Sequence, residues 1–259
     1  MTKKLTVARR FIAAGIVSLM AIIGTASLNA QGLEEGLIGY WPFDDQSDPE
    51  STPDMSEGGN HGTVNGEPEI VTGATGGGGD KAIQFDGADD SVTTEASLLN
   101  DLEELTLSFW MLMPEQQAGN RVGLIGQNDA VEYGMINPTT MQYWTPAGNI
   151  SVDFGPTLEE WTHVAVIVNA DGMHVYANGE QIGTAGGGGP VSSADTFNMG
   201  GDGIFDASGN WFLGALDDVA VWNIALSEDQ IAALAAQQIF PIPKAGVPER
   251  SFTWDFNGG

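Results

Sequence analysis

Trp161-Thr162-His163-Val164-Ala165-Val166-Ile167-Val168-Asn169-Ala170-Asp171-Gly172-Met173-His174-Val175-Tyr176-Ala177-Asn178-Gly179 is the stretch that decides the architecture. Two apolar, β-branched runs flank Ala170-Asp171-Gly172, and a second turn, Asn178-Gly179, follows at once. β-Branched and aromatic side chains suit a pleated surface, and Asn-Gly adopts the left-handed backbone of a two-residue hairpin turn. The stretch is therefore an antiparallel hairpin. Outward from it, the chain from Gly36 repeats one pattern, short apolar or alternating runs separated by Gly, Asp, Asn and Pro. Strands are predicted near Ile38–Phe43, Ala82–Phe85, Ser91–Thr94, Leu105–Met111, Val122–Gln127, Tyr133–Asn137, Met141–Trp144, Ile150–Phe154, Trp161–Asn169, Met173–Ala177, Thr196–Met199 and Trp211–Trp222. So many short strands call for an all-β fold of two stacked antiparallel sheets.

One helix is predicted. Ser227 and Gln230 have the spacing of a capping box, and Ile231, Leu234 and Ala235 give a narrow apolar face to about Gln238. Pro241 and Pro243 end it. The segment 241–259 has linker composition at its start and a strand-like Ser251-Phe252-Thr253-Trp254-Asp255-Phe256, so it reads as a linker or the start of a further module. The glycine runs Gly76–Gly79 and Gly186–Gly189 lack the Lys-Ser/Thr pair of a phosphate loop and read as flexible loops.

At the N-terminus, Lys3, Lys4, Arg9 and Arg10 precede an uncharged apolar run from Phe11 to Leu28 that ends in small residues up to Ala30. That is the layout of a secretory signal peptide over residues 1–30, which leaves the main domain at 31–240 and predicts a secreted, periplasmic or cell-surface protein with no membrane insertion after cleavage. The remaining four Lys or Arg face 35 Asp or Glu, a net charge of −31. Such a surface repels phosphate backbones and excludes nucleic acid as a partner. With no cysteine, disulfides, thiolate metal sites and cysteine nucleophiles are excluded, and stability must come from the core.

Four blocks in order resemble the laminin-G-like, concanavalin A-like jelly-roll domains of secreted bacterial proteins. They are Gly39-Tyr40-Trp41-Pro42-Phe43-Asp44-Asp45 with the loop Asp54–Val64, then Ala82–Val92 around Phe85-Asp86-Gly87, the hairpin quoted above, and Phe212–Ser227. The departures are Glu57 within the first loop, Ser91 at a commonly aromatic position, and Asn178 for the usual Asp. The resemblance implies a cation, calcium, where the opening strand and its loop meet the closing strand. Carried over by position, its ligands would be Asp44, Asp54, Asn60 and Asp217, with Asp86 in reserve. The competing reading is that these Asp and Asn residues only make Asx-turns and cap strand ends.

His61, His163 and His174 lack a metal-ligand spacing, and the likeness makes His163 a packing residue beside Trp161. Trp41, Trp110, Trp161 and Trp222 read as core, and Tyr143-Trp144 as core or as a rim that stacks on sugar rings. A glycan hydrolase of this fold needs two facing carboxylates, spaced Glu-x-Asp-x-x-Glu or similar, and no such run occurs. The expectation is a non-catalytic recognition module for a glycan or an extracellular protein, with a concave sheet and loop rim as the ligand surface.

Overall fold

The computed structural model describes residues 33–117 and 121–244. The predicted signal segment and the strand-like 251–256 lie outside them. Sixteen strands run in chain order: β1 Leu37–Trp41, β2 Ser51–Thr52, β3 Gly62–Asn65, β4 Glu69–Thr72, β5 Lys81–Asp86, β6 Ser91–Thr93, β7 Leu105–Leu112, β8 Val122–Gln127, β9 Val131–Asn137, β10 Thr140–Thr145, β11 Gly148–Asp153, β12 Thr162–Asn169, β13 Gly172–Ala177, β14 Glu180–Ala185, β15 Phe197–Met199 and β16 Leu213–Trp222. One helix, α1 Glu228–Ala235, follows. Its capping box is formed as expected, Ser227 Oγ accepting from the Gln230 amide while the Gln230 side chain accepts from the Ser227 amide.

The strands make two antiparallel sheets, ordered β14-β13-β12-β7-β16-β5-β4, with β1 also on β16, and β11-β10-β9-β8-β15-β6-β3-β2. Alternation along β12 shows how they stack. Val164, Val166 and Val168 enter the main core between the sheets, with Trp41, Phe85, Phe109, Tyr133 and Phe197. Ala165 and Ile167 point the other way, into a second apolar cluster with Tyr40, Trp222 and the α1 residues Ile231 and Leu234. The first sheet is thus apolar on both faces because helix and tail cover its far side. The Asn178-Gly179 turn has both residues at positive φ, 49° and 83°, as a tight hairpin turn requires.

The far face of the second sheet is partly covered as well. The Gly200–Trp211 segment folds onto it, and Ile204 and Phe205 are buried there. A Cβ on Gly123 would lie 2.6 Å from Ile204 Cβ, so the strand glycine clears the space that the loop fills. The open sheet face expected of the architecture is therefore partly closed.

Candidate functional site

The middle of β16 is where the first sheet is interrupted. On one side β16 pairs with β5 through Leu213–Leu216 and then with β1 through Val219–Trp222. Asp217 and Asp218 fall at the junction, and the register toward β7 shifts between Asp217 and Ala220. Successive strand residues ordinarily point to opposite faces. Here a bulge with Asp218 at φ 49° breaks that rule, and carboxylate oxygens of Asp217, Asp218 and Asp80 lie within 4.8 Å of one another. Asp80 precedes β5 and Asp44 follows β1, so the two strand ends that meet at the gap each bring a further acid.

Lys244 reaches into this gap from the C-terminal segment. Its ammonium lies 2.6 Å from Asp80 Oδ1, 2.9 Å from Asp218 Oδ1, 3.4 Å from Asp44 Oδ2 and 3.9 Å from Asp217 Oδ1, with the side chain only 4% exposed. The Tyr40 hydroxyl donates to Asp218 Oδ1 at 2.6 Å. Backbone amides take up the other oxygens except Asp218 Oδ2: Ala74 and Asp218 donate to Asp217, Thr75 to Asp80 and Lys81 to Asp44. Four carboxylates around one ammonium are under-neutralised. Burial raises both Asp217 and Asp218 above the usual carboxylate range, Asp218 to about 6, with the Asp218 charge adding to the rise at Asp217 and the Asp80 charge to that at Asp218. Burial alone would lower the Lys244 pKa, but Asp218 and Asp217 outweigh it and hold the ammonium well above its ordinary range.

The residues named from the resemblance are split between two places. Asp44 and Asp217 belong to the cage. Asp54 instead accepts from the backbone amides of Tyr40, Ser56 and Asn60, and the Asn60 side chain donates to Ile38 O, so this pair pins the first loop onto β1. Asp86 lies with Asp89 and Asp90 in a separate turn, where it accepts from the Ala88 and Asp89 amides. Both groups of three carboxylates have the proximity to hold a metal ion. Calcium does not fit the cage as built, because its 2.3–2.6 Å oxygen shell needs the space that the Lys244 ammonium fills. Asp80, Asp218 and Lys244 were missed from sequence. The signal was there for Lys244, one of only four basic residues after position 30.

A second feature faces solvent. An open groove of about 240 Å³ lies where the edge strands β11 and β14 approach, lined by Asp153, Thr157, Glu160, Trp161, Asn178 and Ile182. Trp110 and Trp161 are half-buried, which corrects their reading as core, whereas Trp41, Trp222 and Tyr143 are fully buried. His163 is buried as expected, but its ring packs edge-on against Trp110, 5.2 Å away, and Nε2 lies 2.9 Å from Ser108 Oγ. Its neighbour is the cross-strand residue rather than the sequence neighbour. Among the described residues no helix is long and apolar enough to cross a membrane.

Residues 86–232 match the family model of the concanavalin A-like lectin/glucanases superfamily. Curated proteins give no match. Among solved structures, the chain is similar to the binding domain of paraclostridial mosquitocidal protein 1, with TM-score 0.60 and 15% identity over 79% of this chain and 53% of that one. It is similar to domain 4 of AbnA, an extracellular GH43 arabinanase of Geobacillus stearothermophilus solved with arabinotriose, with TM-score 0.56 and 17% identity over 77% and 98%. The receptor-binding domain of a botulinum neurotoxin C/D mosaic gives TM-score 0.60 and 14% identity over 79% and 52%. The chain spans about half the length of the toxin domains it matches. These likenesses share the fold.

Proposed function

Because the chain belongs to the concanavalin A-like lectin/glucanases superfamily, we propose that it is a non-catalytic binding module that takes an oligosaccharide in the groove beside Trp161. The observation that carries this reading is the half-buried Trp161, which lines the groove together with Asp153, Glu160 and Asn178. A pyranose or furanose ring presents C–H groups to an indole face, while its hydroxyls need acceptors and donors at the margin. The arabinanase domain of the same fold, solved with arabinotriose, supports a sugar as the ligand class. The missing Glu-x-Asp-x-x-Glu run, and the burial of the cage carboxylates around Lys244, support binding without turnover.

Affinity electrophoresis through gels containing arabinan and other soluble polysaccharides tests the reading. Retardation of the wild type, at least tenfold weaker binding by Trp161→Ala with an unchanged circular dichroism spectrum, and no release of reducing ends are expected. Absence of retardation on every polysaccharide overturns it. Retardation that persists in EDTA separates the groove from any metal. A protein ligand is the second reading, favoured by Leu158 and Ile182, exposed large apolar residues of which Ile182 lines the groove. It predicts that Ile182→Asp abolishes binding and that oligosaccharides do not compete.

We also infer that the protein works outside the cytoplasm, exported by residues 1–30. An N-terminus at Gln31 in the exported product, read by Edman sequencing, is the expected result.

A further inference from the structure

We propose that Lys244 is the resident cation of the Asp44-Asp80-Asp217-Asp218 cage, a covalently tethered replacement for a divalent ion. Three observations converge. The cage sits at a break in the sheet, where strand ends β1 and β5 and the β16 bulge would otherwise leave like charges facing one another. The lysine is 4% exposed and reaches all four acids, so its contact is built into the fold rather than a surface ion pair. And one acceptor in the cage, Asp218 Oδ2, is buried without a hydrogen-bond partner, a lone pair that a multivalent ion would use and a single ammonium leaves over.

Lys244 thus makes the cage a clamp where a divalent ion would otherwise have to balance the charge. The ammonium ties Ile239–Lys244 across the far face of the first sheet, where Ile239 is buried in the helix-side cluster and the Lys244 ammonium lies 5.8 Å from the Phe240 ring centroid. Engagement of the segment and closure of the sheet gap become one event that is independent of calcium. Removing the ammonium without shortening the stem would leave a set of buried oxygens suited to a hard cation. The clamp and the latent metal site are two states of one cage.

Thermal unfolding of the wild type and Lys244→Met, each in EDTA and in millimolar calcium, tests this. The wild type is expected to unfold at the same temperature in both buffers. Lys244→Met is expected to unfold on the order of 10 °C lower in EDTA and to recover part of the loss in calcium. EDTA lowering the wild-type transition as much as that of the variant overturns the proposal, as does a variant transition equal to wild type. If Lys244→Met fails to fold in either buffer, Lys244→Met/Asp218→Asn decides. Removing one charge of each sign restores a folded protein if the ammonium acts as counter-ion, whereas a double variant that still fails to fold overturns that role.

Discussion

The Tyr40 hydroxyl donates to Asp218 Oδ1 at 2.6 Å, joining β1 to the β16 bulge across 178 residues of sequence. Both groups are fully or almost fully buried, and burial, then the Asp218 charge, holds the Tyr40 pKa well above 10. The hydroxyl therefore stays a donor across the accessible pH range. It shares that carboxylate oxygen with the Lys244 ammonium.

Tyr40→Phe removes that donor and leaves the ring. A hydrogen bond to a charged group contributes about 1.5–3 kcal/mol, so urea unfolding is expected to show a loss in that range with an unchanged m-value. A loss below about 0.5 kcal/mol would mean that Lys244 alone satisfies Asp218.

The glycine loop before β5 offers a paired test. A Cβ on Gly73 would lie 2.4 Å from Asp80 Oδ2 and 2.7 Å from Asp217 Oδ2, whereas one on Gly78 meets nothing within 4 Å. Gly73→Ala is expected to cost about 1–3 kcal/mol by pushing the two acids apart, and Gly78→Ala less than about 0.5 kcal/mol. Denaturation midpoints of the two variants check the contrast, and equal midpoints refute the close approach at Gly73.

That contrast also marks how far the sequence could be read. All twelve predicted strands are present, because nearly all carry apolar residues at period two or as a continuous run, β6 with Val92 alone being the exception. The added strands β2, β3, β4 and β14 lie at or next to sheet edges, and β4 and β14, with sequences Glu-Ile-Val-Thr and Glu-Gln-Ile-Gly-Thr-Ala, are largely exposed. A strand wetted on both faces has no apolar period to show. The cage was half legible. Asp44 and Asp217 sit in recognisable blocks, but Asp218 joins them only through a bulge, and Lys244 only through the fold of a proline-rich tail. Trp161 was misjudged because apolar neighbours follow it on β12, while the turn before it opens its ring to the groove.

His163 and Asp218 line one small cavity and titrate with opposite signs. Burial lowers His163 to about 3, so its neutral form contributes stability that is present above 6.5 and lost as pH falls toward 3. Asp218, raised to about 6 by burial, contributes stability present below 3.8 and lost as pH rises through 6, and Asp217 acts in the same direction. Between pH 6 and 4 the two effects oppose each other. The stability deficit of His163→Gln is expected to shrink by about 2 kcal/mol from pH 6.5 to 5, and that of Asp218→Asn to grow over the same interval. Guanidinium titrations at a series of pH values read both slopes, and parallel slopes would rule out the opposition.

Arg121 fastens the loop that covers the second sheet. Its guanidinium donates to Phe205 O at 2.8 Å, lies 5.2 Å from the Phe205 ring centroid and sits 3.9 Å from Glu132, a buried carboxylate raised by desolvation. The residue itself is at φ 62°, held there by its place before β8. The guanidinium is half-exposed, so the ion pair is screened, and the hydrogen bond and ring contact carry most of its effect. Arg121→Ala is therefore expected to loosen the loop by roughly 1–2 kcal/mol, seen as about tenfold faster amide exchange at Asn128 and Asp202, which donate to Gly203 O and Gly209 O. Arg121→Lys keeps the charge but loses the planar stack and should fall between the two. Unchanged exchange in Arg121→Ala would show that Ile204, seated in the clearing left by Gly123, holds the loop without help.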